Sequence, residues 1–388
     1  MDRYASANLL QILRVLLRTW QKNKSWLAPM KKFRERVKMW TGQPMGLYWN
    51  TRIFNTFCLP VLTYVAQLED PPQWVTLEVE ALMRKLAPGP TGWASCSDLY
   101  LLHESFGLSA SFTNLAWISK AAQVRVFLCD PGCRPSTDFL TRIKHLQNNI
   151  NIPGDSASLG WHACDWYSKI FSLVIHRSYL AIVSEVGSME VIRKARLVDP
   201  PLRCRDHTWN KQVQKTLYKY LAAQALMDPA SRTREKYQYW DLAARPSAYA
   251  LPGSVRQHTA HWQAAKAAWL LRQLQSLVPP RVHCSVLSTV WNRWTTARRF
   301  QSRGPCLLGC GECEGDDIAH YCSCAVTQEL CKRRLRLDPS VYATLHAWLL
   351  VHPYIRTKED LTSLSLLQYG IYTVTNGRRH QGISCESF

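Results

Sequence analysis

Apolar residues recur at three- and four-residue steps along nearly the whole chain. Leu9, Leu10, Leu13, Leu16, Leu17 and Trp20 mark one such stripe, and Trp117, Ile118, Ala121, Val124 and Leu128 mark another. The strict alternation that marks a half-buried strand is nearly absent. Helix punctuation agrees with the spacing. Asp228-Pro229 reads as an N-cap followed by proline at the first helical position, and Thr357 to Asp360 reads as a capping box. The pattern predicts a mainly α fold.

Turn signals divide the helical stretches at Ala87-Pro88-Gly89-Pro90, Asp130-Pro131-Gly132, Pro153-Gly154-Asp155, Asp199-Pro200-Pro201, Pro252-Gly253 and Pro279-Pro280. Helices so divided are expected to group into small bundles. A chain of 388 residues accommodates two or three domains, and the breaks place boundaries near 150 and 280, giving regions 1–150, 151–280 and 281–388. No internal repeat or low-complexity segment argues for a solenoid.

Charge changes the picture. Lys and Arg total 48 against 28 Asp and Glu, a formal charge of +20, which is costly through self-repulsion unless an anionic partner relieves it. The cations are clustered: Lys31, Lys32, Arg34, Arg36 and Lys38; Arg298 and Arg299; Lys332, Arg333, Arg334 and Arg336; Arg378 and Arg379. Each cluster alone is an ordinary solvated helix face, but together they suit a phosphate track. The stretch from Leu9 to Trp20 is broken by Gln11, Arg14 and Arg18 and lacks the apolar core of a secretory signal. No segment approaches the apolar length of a membrane span. A reducing compartment, nucleus or cytoplasm, is therefore expected for the 14 cysteines, with no membrane partner.

One cysteine group has metal-ligand spacing. The run from Pro305 to Cys324 holds Cys306, Cys310, His320 and Cys324 as C-x3-C-x9-H-x3-C. Two cysteines on a short loop followed by His and Cys at a helix start supply the closed thiolate and imidazole shell of a structural Zn²⁺. Gly309, Gly311 and Gly315 let the backbone turn tightly around such an ion. Cys313 and Cys322 lie in the same run and compete for assignment. Cys129 and Cys133, with His162 and Cys164 further on, mimic half of a second site but at long, irregular distance, and read as ordinary cysteines. Asp316-Asp317 resembles the carboxylate pair of a metal-dependent polymerase or nuclease. A preceding glycine and a following knuckle histidine argue instead for a capping or loop-solvating pair.

Several blocks resemble LINE-type, non-LTR retrotransposon reverse transcriptases. Phe33 to Pro72, FRERVKMWTGQPMGLYWNTRIFNTFCLPVLTYVAQLEDPP, is similar to the segment that follows the palm and forms the helical thumb. Leu82 to Trp93 and Leu99 to Val126 look like the next stretch of the same elements. Val290 to Gln301, VWNRWTTARRFQ, directly before the Cys/His knuckle, and Leu366 to Arg379 look like the family's C-terminal end. Residues 150 to 280 carry the resemblance weakly. The resemblance implies thumb-like helices in 1–150, a helical middle region in 151–280, and a knuckle with C-terminal helices in 281–388. It also implies knuckle ligands at Cys306, Cys310, His320 and Cys324.

The family's polymerase block, an aromatic-x-Asp-Asp motif ahead of the thumb, is not found in this chain, nor is an endonuclease constellation. No catalytic residue is assigned, and neither polymerisation nor cleavage is expected of this polypeptide alone. The expected partner is RNA or an RNA/DNA hybrid held mostly through phosphates, with other retroelement proteins as further partners. Nominated contacts are Lys32, Arg36 and Lys38 on the thumb-like face, Arg298, Arg299, Arg333 and Arg334 around the knuckle, and Trp294, with Trp291 beside it, as a surface for unpaired bases. An inert remnant of a truncated element is the alternative from another class. A nuclease using Asp316 and Asp317 stands behind both.

Overall fold

The computed structural model describes residues 24–128 apart from 44 and 68, short stretches of 214–240 of which 228–238 is the longest, and 253–381 apart from 352–354 and 356. Helices account for nearly all regular structure, and no strand occurs among the described residues. In chain order they are α1 (Lys24–Thr41), α2 (Gly46–Ile53), α3 (Pro60–Ala66), α4 (Gln73–Leu86), α5 (Cys96–Tyr100), α6 (Leu102–Phe106) and α7 (Leu115–Leu128). Then follow α8 (Pro229–Gln238), α9 (Gly253–Leu277), α10 (Pro280–Val290), α11 (Ile318–Ser323), α12 (Ala325–Leu330), α13 (Pro339–Tyr342), α14 (Leu345–Trp348) and α15 (Lys358–Gln381). The mainly α fold read from the sequence is the observed one. Among the described residues no helix is long and apolar enough to cross a membrane.

The chain forms two compact units, each assembled from separated segments. Unit 1 comprises Met1–Gly42, Ile53–Met83 and Thr113–Ala225; unit 2 comprises Gln43–Arg52, Arg84–Phe112 and Leu226–Phe388. The stripe from Leu9 to Trp20 and much of the expected middle region lie outside the described residues.

In unit 1, α1 buries Trp26, Met30, Phe33 and Val37, a four-three-four spacing that keeps one face inward. That face meets α3, which buries Leu62 and Val65, and a π-helical turn at Phe54–Cys58. Phe33 and Phe54 pack edge to face with centroids 6.0 Å apart. Helix α3 packs in turn on α7, where the Ser119 hydroxyl donates to the Ala66 carbonyl at 2.7 Å.

Unit 2 is organised around α10, whose residues from Val282 to Val290 are all buried. Two polar side chains of this buried helix bond back to its own carbonyls. Ser288 donates to the Cys284 carbonyl at 2.7 Å and Thr289 to the Ser285 carbonyl at 3.0 Å. Helix α15 lies against it, burying Leu361, Leu364, Ser365, Gln368, Ile371 and Thr375 along one stripe. The Gln368 amide donates to the Trp348 carbonyl at 2.9 Å. Helix α9 contributes Ala264, Ala267, Ala268, Leu271 and Leu274, whose small residues allow close approach to α8.

The two caps expected from the sequence are formed. Asp228 accepts from the backbone N–H of Ala230 and Ser231 at the start of α8. Thr357 and Asp360 exchange reciprocal 3.0 Å bonds at the start of α15. A second capping box, Ser95 with Asp98, starts α5. Asp98 also receives both arms of Arg232, at 2.7 and 2.5 Å.

Candidate metal centre

The knuckle lies in unit 2, between the loop that follows α10 and the short helix α11. Its first ligand, Cys306, is buried, and the loop folds back at once: the Cys306 N–H donates to the Glu312 carbonyl at 2.9 Å and the Gly309 N–H to the Cys306 carbonyl at 3.1 Å. Gly309 and Gly311 sit at φ +79° and +87°, left-handed values that a side chain disfavours. Gly315 is required for another reason. A Cβ there would lie 2.7 Å from the Cys306 Cβ and 3.0 Å from the His320 ring. Helix α11 then presents His320, and Cys324 closes its C-terminus.

These folds bring one donor atom from each of Cys306, Cys310, His320 and Cys324 to within 4.8 Å of one another. The Cys306 and Cys324 sulfurs are 3.8 Å apart, and the Cys310 sulfur is 3.3 Å from Nε2 of His320. A four-coordinate ion with metal–sulfur bonds of about 2.3 Å places its sulfur ligands roughly 3.8 Å apart. The donor set could therefore hold one metal ion, through Nε2 of His320 and the sulfurs of Cys306, Cys310 and Cys324.

Neither competing cysteine joins this cluster. Cys322 lies two residues beyond His320 and so on the opposite face of α11. Its thiol donates to the Ile318 and Ala319 carbonyls at 3.4 and 3.0 Å. Cys313 is exposed and turned to its own loop, 3.9 Å from the Gly311 carbonyl. Cys129, Cys133, His162 and Cys164 lie outside the described residues.

Around the ligands is a polar clasp that residue types alone did not disclose. Asp316 is 7% exposed and does not solvate a loop, contrary to expectation. Its Oδ2 accepts from the Ala297 N–H at 2.7 Å, and its Oδ1 from the Tyr321 hydroxyl at 2.7 Å and Arg379 at 2.6 Å. Arg378 donates to the Leu307 carbonyl within the knuckle loop. Asp317 takes the N-cap position of α11 without a side-chain cap and pairs with Arg298 at 2.6 Å. The knuckle is thereby fastened at its front to the 297–298 loop and at its back to α15.

The nominated tryptophans require correction. Trp294 is 0% exposed, packed against Tyr372, Tyr321 and Trp348 at centroid distances of 5.2, 6.1 and 6.2 Å. Trp291 is equally buried, edge-on to Phe106 at 5.0 Å. Both form the apolar support beneath the knuckle, and neither offers a face to a base.

The nominated cations differ in availability. Lys32, Arg36 and Lys38 are exposed along α1 in unit 1. In unit 2, Arg298 is paired with Asp317, Arg333 with Glu329, and Arg299 reaches the Thr91 carbonyl at 3.4 Å. Arg334 is exposed on the π-helical turn Cys331–Leu335. No family model, curated protein or solved structure matches the chain.

Proposed function

We propose that this protein binds RNA or RNA/DNA hybrid, that a structural Zn²⁺ holds its knuckle, and that these residues correspond to the thumb-and-knuckle portion of a LINE-type retrotransposon reverse transcriptase. The observation that carries the reading is the convergence of donor atoms from Cys306, Cys310, His320 and Cys324 to within 4.8 Å of one another in a chain of net charge +20. Borderline-soft thiolate and imidazole donors in a closed shell suit zinc in a structural role. Exposed cations on α1 and around the knuckle suit phosphates rather than base edges, so affinity with little sequence preference follows. The retroelement assignment rests on the order and spacing of the thumb-like and knuckle-flanking blocks. Asp316 and Asp317 serve the knuckle in this reading, their carboxylates being engaged by Arg379, Tyr321, Ala297 and Arg298.

The test is metal content together with filter binding of one preparation to RNA, RNA/DNA hybrid and duplex DNA across a salt series. One zinc per chain, and binding that weakens steeply as salt rises, are expected. Cys310→Ser should lose the metal and loosen residues 290–330 while the helices of unit 1 stay folded. A metal-free protein that binds none of the three overturns the proposal in favour of an inert remnant.

A further inference from the structure

A groove in unit 1 lies between α1 and α3, away from the knuckle. It has a volume of about 420 Å³, within the range of ligand sites. One wall comes from α1, where Lys24, Ala28, Lys32 and Arg36 recur every fourth residue and so lie on one stripe, roughly 6 Å of rise apart at each step. The other wall comes from α3, with Pro60, Val61 and Tyr64. No carboxylate lines it; Ser25, at one end, donates to Glu69. Among the described residues Lys24 and Lys32 have no ion-pair partner, and Arg36 uses one nitrogen on the Phe57 carbonyl, which anchors its guanidinium at the groove's end. Tyr64 is 49% exposed.

We propose that this groove takes a single-stranded stretch of nucleic acid, with phosphates on Lys24, Lys32 and Arg36 and one unpaired base on Tyr64. The inference rests on the nucleic-acid-binding reading above and names the ligand form and its contacts. Three cations in line without a neutralising carboxylate call for a polyanion, and charge complementarity alone would admit an acidic peptide as well. The opposite wall decides between them. An exposed aromatic ring beside an apolar strip of Pro60 and Val61 offers a π-face, which a nucleobase matches and a carboxylate side chain does not. A duplex keeps its base faces stacked inside and has none to give Tyr64. The strand therefore enters unpaired, and recognition through backbone charge and stacking is indifferent to sequence.

The experiment is fluorescence anisotropy of the full, metal-loaded chain with labelled oligo(dT), oligo(rU) and a duplex of equal length, over a salt series. All four side chains are exposed, and unchanged circular dichroism checks that the variants fold. Replacing Lys24, Lys32 and Arg36 together by Gln should make the slope of log affinity against log salt shallower by about 2 for the single strands. Tyr64→Ala should weaken single-strand binding roughly tenfold or more without altering that slope, and Tyr64→Phe should restore it. Equal losses on oligo(dT) and oligo(rU) support a site that accepts either nucleic acid, and a loss confined to oligo(rU) supports one that takes RNA. The inference is overturned if the charge variant keeps the full slope, if Tyr64→Ala binds as well as Tyr64→Phe, if the duplex suffers as much as the single strands, or if polyglutamate displaces the strand in a Tyr64-dependent way. Wild-type protein that binds none of the oligonucleotides overturns the proposed function itself. Wild-type binding indifferent to these four residues overturns only the groove.

Discussion

Nη2 of Arg379, on the last helix, donates to Oδ1 of Asp316 at 2.6 Å, and both side chains are largely withdrawn from water. The pair joins the loop ahead of His320 to α15 across 63 residues of sequence. A buried charge deprived of its partner costs far more than an intact pair contributes. Arg379→Ala should therefore destabilise unit 2 by about 3 kcal/mol, and Asp316→Asn by less, since the amide oxygen can still accept from Ala297 or Tyr321. Urea unfolding of the metal-loaded protein measures both, and near wild-type stability of Arg379→Ala would show that the clasp holds nothing.

Two glycine substitutions separate close approach from backbone freedom. Gly315→Ala places a methyl 2.7 Å from the Cys306 Cβ and against the His320 ring, so metal affinity should fall at least tenfold. Gly370→Ala lies in an exposed turn of α15 with nothing within 4 Å, and should leave metal affinity intact while stabilising the helix by about 0.5–1 kcal/mol. Competition with a chromophoric chelator reads the first effect and thermal unfolding the second.

His283 gives unit 2 an acid limit. Burial in α10 pushes its pKa down to about 4 against two backbone carbonyls, Phe106 and Leu271, that favour the proton, and its Nε2 has no hydrogen-bond partner. The unfolded imidazole titrates near 6.5, so between pH 6.5 and 4 the unfolded chain binds more protons than the folded one. Stability is full above pH 6.5 and falls as pH drops through that window, by up to about 3 kcal/mol. The urea midpoint of wild type should decline across this range more steeply than that of His283→Leu, and parallel declines would refute the assignment.

The Asp98–Arg232 pair closes a contact across 134 residues, with the Asp98 side chain 3% exposed. Arg232→Met removes one charge and leaves the other buried beside Ser95. It should cost about 3–5 kcal/mol. The double variant Arg232→Met with Asp98→Asn should recover part of that loss, because no charge is then stranded. Chemical denaturation of the single and double variants tests this, and equal losses would show that the capping role of Asp98 outweighs the pair.

What was legible in advance has one physical character: it depends on neighbours close in sequence. Helical spacing, the Asp228 cap and the reciprocal bonds of Thr357 and Asp360 all act within a turn or two. The knuckle ligands also come from a single short run, closed by a few glycines. Even the choice of Cys324 over Cys322 follows from the phase of α11, once that helix is known to begin at Ile318.

Roles that depend on distant partners could not be read this way. Trp294 next to Arg298 has the same local pattern whether it faces solvent or core. Only its packing on Tyr321, Trp348 and Tyr372, brought together by three other helices, makes it core. Asp316 carried a cap-like context and became a buried acceptor because Arg379 and Ala297 arrive from either side. The groove beside Tyr64 exists only where α3 turns against α1. The sequence by itself determined the helical class, the caps at Asp228 and Thr357 and the Cys/His run that holds the candidate ligands, because short-range geometry decides those. Tertiary structure alone decided which aromatics are core, which charges are paired and which cations remain open to an anionic partner, since burial and pairing belong to the whole packed unit.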